Sequence, residues 1–261
     1  MDLQLKGRVG VVLAGSQGLG KAIGSAWAAE GASVALLART QATLDQAIAE
    51  IANAGGEAIG IATDIYDPDK LGAAIDEAGR RLGPVELLLL NTGGPPPTGP
   101  TVTAIDAWQD HFDKLLVPMV RAVDRALPGM RERGFGRIMY IAAPGILTPA
   151  SFTTLSQSMR VAVASWLKTL ASEVARDGIT VNTIIPGVID TERVQSLSLS
   201  RAAADGISAE AHTAKLLAEV PIARMGTPEE FAAIAAFLAS PLAAYMTGST
   251  LRVDGGWIRP I

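Results

Sequence analysis

The feature that most constrains this chain is the passage from Val9 to Glu30. An apolar, β-branched run, VGVVLA (Val9 to Ala14), passes without a spacer through the glycine-rich turn AGSQGLG (Ala14 to Gly20) into a helical pattern, Lys21 to Glu30, that Gly31 closes. A strand that turns at once into a helix brings several backbone N–H groups and the positive end of a helix dipole to one point. That arrangement predicts an anion-binding turn of the kind that holds a dinucleotide pyrophosphate, built from Ala14, Gly15, Ser16, Gln17, Gly18, Leu19 and Gly20.

The alternation continues along the chain. Further strand candidates are SVALLA (Ser33 to Ala38), EAIGIAT (Glu57 to Thr63), VELLLLN (Val85 to Asn91), RIMYIAA (Arg137 to Ala143), TVNTIIP (Thr180 to Pro186) and a short last one, Ser249 to Val253. Helical patterns stand between them: Gln41 to Ala54 before Gly55, Asp67 to Leu82 before Gly83, and a stretch to about Ala239 opened by the capping-box signature Thr227-Pro228-Glu229-Glu230. Strands apolar on both faces and separated by helices predict an α/β fold, a doubly wound parallel sheet with helices on both faces. No linker, low-complexity tract or tandem repeat interrupts residues 1–261, so a single domain is expected, and a 49% apolar composition supports its core.

Composition narrows the function. A formal net charge of −4 without a basic cluster argues against nucleic acid or an anionic membrane surface as partner. The absence of cysteine excludes disulfides, thiolate nucleophiles and cysteine-ligated metals, and two separated histidines, His111 and His212, do not suggest a metal site. The N-terminal MDLQLKGR lacks an apolar leader, and no uncharged run approaches the length of a membrane span, so a cytoplasmic protein is expected.

The second strand ends in Ala38-Arg39-Thr40. A carboxylate at this strand end binds a ribose 2′-hydroxyl, whereas a cation accommodates a 2′-phosphate, so Arg39 favours NADP(H) over NAD(H). Asp64, at the end of strand three, is placed either to accept from an adenine amino group or to cap the next turn.

With these pieces, LNTGG (Leu90 to Gly94), PGVIDT (Pro186 to Thr191) and TGSTLRVDGG (Thr247 to Gly256) stand in order, and the chain resembles the short-chain dehydrogenase/reductase family over nearly its full length. Its bacterial 3-oxoacyl-acyl-carrier-protein reductase-like members look nearest, and GGPPPTG (Gly93 to Gly99) looks like the marker of one branch. The resemblance implies a Rossmann-type domain, usually a homotetramer or dimer, that binds NAD(P)H and a small-molecule substrate. It implies that Asp64, Ile65 and Asn91, Thr92 and Gly93 line the adenosine side, while Pro186, Gly187, Ile189 and Thr191 approach the nicotinamide and pyrophosphate. The family's TGxxxGxG loop appears with Leu13 and Ala14 at its first two positions; Gly15 is expected to supply the missing backbone freedom.

Carbonyl-reducing members use Asn, Ser, Tyr and Lys, the last two written YxxxK, because hydride reaching a carbonyl carbon leaves an alkoxide that needs a proton donor, and a nearby ammonium lowers the tyrosine's pKa. No YxxxK occurs in this chain. Arg160 lies 22 residues before Asn182, the family spacing for the lysine, which puts Ser156 at the tyrosine, Ala143 (thirteen before it) at the serine, and Leu115 (seven after Trp108) at the asparagine. The other register, Leu155 and Met159, falls on an apolar stripe with Val163, Trp166, Leu170 and Val174 that reads as core or subunit interface. Arginine can hold a ribose or a carboxylate but cannot shuttle protons, and a serine hydroxyl is a poor acid. Tyr66, Tyr140 and Tyr245 do not obviously replace the phenol.

Three readings follow: an NADP(H)-dependent reductase whose substrate needs no tyrosine, such as a conjugated double bond or an iminium; a catalytically silent nucleotide-binding scaffold or partner subunit; and, more weakly, a non-redox lyase. Residues 192–225 occupy the place of the family's substrate lid, and their helical, mixed-polarity sequence names no substrate. Arg193 and Arg201 are candidates there for a substrate carboxylate or a phosphopantetheine, against the plainer role of solvated helix charges.

Overall fold

Four of the strand runs are too apolar to lie at an edge, and in the structure they form the middle of the sheet. The computed structural model describes residues 1–101 and 104–260. Seven parallel strands pair in the order β3-β2-β1-β4-β5-β6-β7, with β1 Val9–Leu13, β2 Ser33–Ala38, β3 Glu57–Ala62, β4 Leu87–Leu90, β5 Gly136–Ile141, β6 Ile179–Pro186 and β7 Thr250–Val253. Every residue of β1, β4 and β5 is buried, whereas the edge strands β3 and β7 are partly exposed.

Helices cover both faces, as period-3.6 patterns between parallel strands require. On one face α3 (Pro68–Leu82), α5 (Val117–Arg133) and α6 (Thr154–Val174) close over Val11, Leu88, Ile138 and Val181; on the other, α1 (Gly18–Ala29), α2 (Gln41–Asn53) and α9 (Pro228–Ala239) close over Val12, Leu36, Leu89 and Ile184. The short α4 (Ile105–Leu115) precedes α5, and α7 (Glu192–Asp205) and α8 (Ala209–Ala218) pack on each other after β6. Asp67 caps α3 by accepting from the backbone N–H groups of Asp69 and Lys70, and Thr227 and Glu230 complete the capping box of α9.

Elements begin and end near the expected residues, with differences at the strand ends. β1 stops at Leu13 because Ala14 turns into the left-handed region at φ 49°, and α1 begins at Gly18 rather than Lys21. β4 is shorter than expected, Leu87 to Leu90, and leaves Asn91 free to face the loop after β1. The strand order reverses between β1 and β4, and at that reversal the connections leave on opposite faces and open a crevice at the carboxyl ends of the strands.

Candidate functional site

A cleft of about 570 Å³ occupies that crevice. A larger groove of about 750 Å³ runs along the outer surfaces of α1, α2 and α9. It meets only the rim of the strand ends, so convergent chemistry belongs to the first.

One half of the cleft is made largely of backbone. At the end of β1, Ala14, Ser16, Gln17, Gly18 and Leu19 line it. Gln17, the N-cap of α1, makes no side-chain cap bond; its amide donates instead to Glu192 Oε2 at 3.1 Å. The first-turn N–H groups of α1 therefore keep no capping partner and remain available to an anion. Gly20 has no room for a side chain, since a Cβ would lie 2.5 Å from the Ala14 carbonyl oxygen, the same oxygen that accepts from Asn91 Nδ2 at 3.4 Å.

The freedom expected of Gly15 is required one residue earlier. Ala14 carries the positive φ, and Gly15 matters because a Cβ there would press on the Val12 backbone and on Leu36. Gly15 and Gly20 thus lie behind the cleft and shape it without lining it.

At the end of β2, Arg39 lines the cleft with no carboxylate partner among the described residues. Asp64 is absent from the residues lining the cleft, and its Oδ1 accepts from the Tyr66 backbone N–H at 3.1 Å, as the turn-capping alternative expects. Ile65 and Tyr66 do line it. The Tyr66 hydroxyl lies against Gly93, and burial raises its pKa, opposed by Arg39. Thr92, Gly93, Pro186, Gly187, Ile189 and Thr191 complete this half. Uncapped N–H groups, a glycine cradle and an unpaired cation at the β2 end fit a phosphorylated dinucleotide.

The other half is made of side chains. Ser156 and Arg160 lie one turn apart on α6, both facing the cleft, and Ala143 lines it from the end of β5. Arg160 is 7% exposed; its Nε donates to Ser156 Oγ (3.4 Å), Nη1 to the Ile141 carbonyl (3.2 Å) and Nη2 to Thr92 Oγ1 (3.5 Å). Below it the Tyr140 phenol is buried, and burial pushes its pKa up against the opposing effect of the Arg160 guanidinium.

Leu115 does not join this group. It is the last residue of α4, 2% exposed and outside the cleft lining. Leu155, Val163, Leu170 and Val174 are buried as the apolar stripe required. The segment after β6 contributes a residue that local pattern alone had left as a candidate: Arg193, just inside α7, donates from Nη2 to the Pro95 carbonyl at 2.9 Å and lays its guanidinium against Gly94. Further along α7, Arg201 stacks on the Phe152 ring at 3.3 Å. Among the described residues no acidic or histidine cluster has a metal-binding arrangement, and no helix is long and apolar enough to cross a membrane.

Comparison with known proteins places these features in context. The family model described as Enoyl-(Acyl carrier protein) reductase matches residues 13–258. The 3-oxoacyl-acyl-carrier-protein reductase of Vibrio harveyi is 31% identical over 255 residues, 97% of this chain and 98% of the relative. Among solved structures, YwfH, an NADPH-dependent reductase involved in bacilysin biosynthesis, superposes with a TM-score of 0.92 at 27% identity, covering 97% of this chain and 99% of that one. L-sorbose reductase of Gluconobacter frateurii, solved with NADPH and L-sorbose, does so with a TM-score of 0.93 at 31% identity, covering 100% of both chains.

Proposed function

The chain belongs to the short-chain dehydrogenase/reductase family, and from that premise we propose that it is an NADP(H)-dependent oxidoreductase acting on a small molecule whose reduction uses no tyrosine acid. The observation that carries the reading is the pair on α6, Ser156 with the buried Arg160, facing the same cleft as a cradle that fits a dinucleotide. Bound there, the nicotinamide supplies a hydride. The α1 N-terminus holds the pyrophosphate and Arg39 the 2′-phosphate, by charge-assisted hydrogen bonds.

A ketone places its negative charge on an oxygen that must be protonated at once, and no phenol of this chain stands at the α6 position to do so. In a conjugated double bond the hydride goes to the β-carbon, the charge is delocalised onto the conjugated carbonyl oxygen, and the α-carbon then takes a proton from water. Arg160 stabilises that charge as a fixed cation, and Ser156 Oγ is placed to donate a hydrogen bond to it. Reduction of conjugated C=C bonds therefore suits the side chains better than ketone reduction.

The test is titration of the purified protein with NADPH and NADH by nucleotide fluorescence, followed by NADPH oxidation against enones, enoyl thioesters, cyclic imines and simple ketones. NADPH is expected to bind more tightly than NADH, with turnover concentrated in the conjugated substrates. Tight NADPH binding with no turnover in any class would replace the reductase reading with that of a silent nucleotide-binding partner.

A further inference from the structure

Three guanidiniums line the cleft; Arg39 stands at the end of β2, and the other two, Arg160 and Arg193, gather at the turn after β4 with no anion beside either. Arg160 is 7% exposed, and its hydrogen-bond partners are neutral groups: the oxygens of Ser156, Ile141 and Thr92, with the Tyr140 phenol beside them. Arg193 reaches only the Pro95 carbonyl. Ion pairs among the described residues include neither arginine, and the one acid in the cleft lining, Glu192, accepts from Gln17. A buried cation normally sits against a carboxylate, because its desolvation is otherwise uncompensated.

Both cations are also brought to the same short turn. Arg160 Nη2 donates to Thr92, and two residues later the Arg193 guanidinium lies on Gly94, where an added Cβ would come within 2.8 Å of its nitrogens. They repel each other: burial first, then the charge of Arg160, hold the Arg193 guanidinium below its ordinary pKa. An anion entering between them would relieve both costs.

We infer that the substrate is a free carboxylic acid with an apolar body, its carboxylate held by Arg160 and Arg193 together. The inference rests on the cleft being the reaction site proposed above. Planar guanidiniums suit a carboxylate, which each can grip with two donors. The surroundings suit the rest of such a molecule, since Pro96, Pro97, Pro144, Phe152 and Leu197 line the adjoining wall. The chemistry fits as well: a carboxylate conjugated to a double bond receives the electrons displaced by hydride addition, and two guanidiniums would stabilise that added charge.

The other source of an anion is the dinucleotide. Its 2′-phosphate is served by Arg39 at the end of β2, whereas Arg160 hangs over β4 and β5, so the two cations are separated by two to three strand spacings, roughly 10 to 14 Å. The pyrophosphate is the other anion of the dinucleotide, and the experiment separates it.

The full-length protein, without nucleotide and saturated with NADP⁺ so that nothing turns over, is titrated calorimetrically with cinnamate and with the isosteric cinnamamide. Cinnamate is expected to bind at least tenfold more tightly. R193Q should weaken cinnamate at least tenfold while leaving cinnamamide and the NADPH affinity within twofold, and R193K should recover part of the loss. R160Q should act in the same direction; because Arg160 is buried and its loss can disturb folding, the Arg193 variants carry the decision. Equal binding of acid and amide, including no binding of either, overturns the inference. So does an R193Q whose NADPH affinity falls tenfold with cinnamate unchanged, since that assigns the guanidinium to the dinucleotide. Discrimination between acid and amide in a protein that binds no NADPH would sink the reductase reading and leave the carboxylate site standing.

Discussion

The two halves of the cleft are built on different principles. Around β1 and α1 the work falls to the backbone: uncapped N–H groups at Gly18, a missing side chain at Gly20, a left-handed turn at Ala14. Around α6 it falls to side chains, Ser156 and Arg160, joined from α7 by Arg193. A backbone site tolerates changes of side chain as long as the path of the chain survives, which is why Leu13 and Ala14 replace the family's first two loop residues without breaking the cradle. A side-chain site changes its chemistry with each substitution, and in the proposed register the α6 half carries Ala143, Ser156 and Arg160 where the carbonyl-reducing pattern has Ser, Tyr and Lys.

The largest expected effect comes from rewriting the side-chain half alone. The triple variant A143S, S156Y, R160K restores a positioned acid, and kcat/KM for a simple 3-oxo ester with NADPH should rise by roughly 10² to 10⁴, the usual contribution of such a group. Activity that stays flat would mean that position 115 or the lid is also out of the older geometry, and that the difference between the halves reaches beyond α6.

The next effect probes the backbone half where it does use a side chain. R39A removes the one cation at the β2 end and should weaken NADPH binding about 10- to 100-fold, equivalent to the roughly 1.5 to 3 kcal/mol of a charge-assisted hydrogen bond, while NADH binding stays level. Equal losses for both nucleotides, read by fluorescence titration, would put Arg39 outside the 2′-phosphate site.

A smaller change tests whether the backbone half stores strain. Ala14 holds φ at 49°, a conformation that costs a residue with a Cβ roughly 1 to 2 kcal/mol and glycine almost nothing. A14G also gives the unfolded chain more freedom, so the net gain should be about 1 kcal/mol, seen as a higher urea midpoint with unchanged slope. No gain would show that the loop relaxes around alanine.

The same contrast governs what could be read from the sequence. The alternation of strands and helices, the glycine turn and the capping box of α9 are local demands of the backbone, and they appear in the structure within a few residues of where pattern places them. Ser156 and Arg160 could be located by counting because they share one uninterrupted helix, whose period sets the direction of each side chain. Leu115, counted from Trp108 in the same way, ends α4 beside the break at Leu116 where α5 begins, and is buried outside the cleft lining, so the helix period does not carry it to the site. Asp64 follows the end of β3 as expected and accepts from the Tyr66 backbone, while Tyr66, which no pattern had singled out for the site, lines the cleft. The meeting of Arg193 with Gly94 joins residues about a hundred positions apart, and no local pattern encodes it.

The smallest effect concerns the support of the backbone half from behind. Val188 to Asp190, which lead into Thr191, are held by Gly226: its N–H donates to the Val188 carbonyl and its carbonyl accepts from the Asp190 N–H, both at 2.9 Å. Gly226 is fixed by the start of α9, where Glu230 accepts from the Thr227 N–H and from both Nη atoms of Arg224. These bonds, the Arg224 pair first, lower the Glu230 pKa to about 2. A folded value depressed below the unfolded one, about 4.3, means that the stabilisation is fully present above that unfolded value and is lost as pH falls toward 2. E230Q should therefore lower Tm by a constant small amount at neutral pH, and the gap between the two proteins should close as the pH drops through that window. Because the carboxylate is exposed, salt should narrow the gap as well. A gap that stays open at the acid end would mean that Glu230 acts through packing rather than charge, and that the strap behind the cofactor half is as indifferent to side-chain chemistry as the glycine loop in front of it.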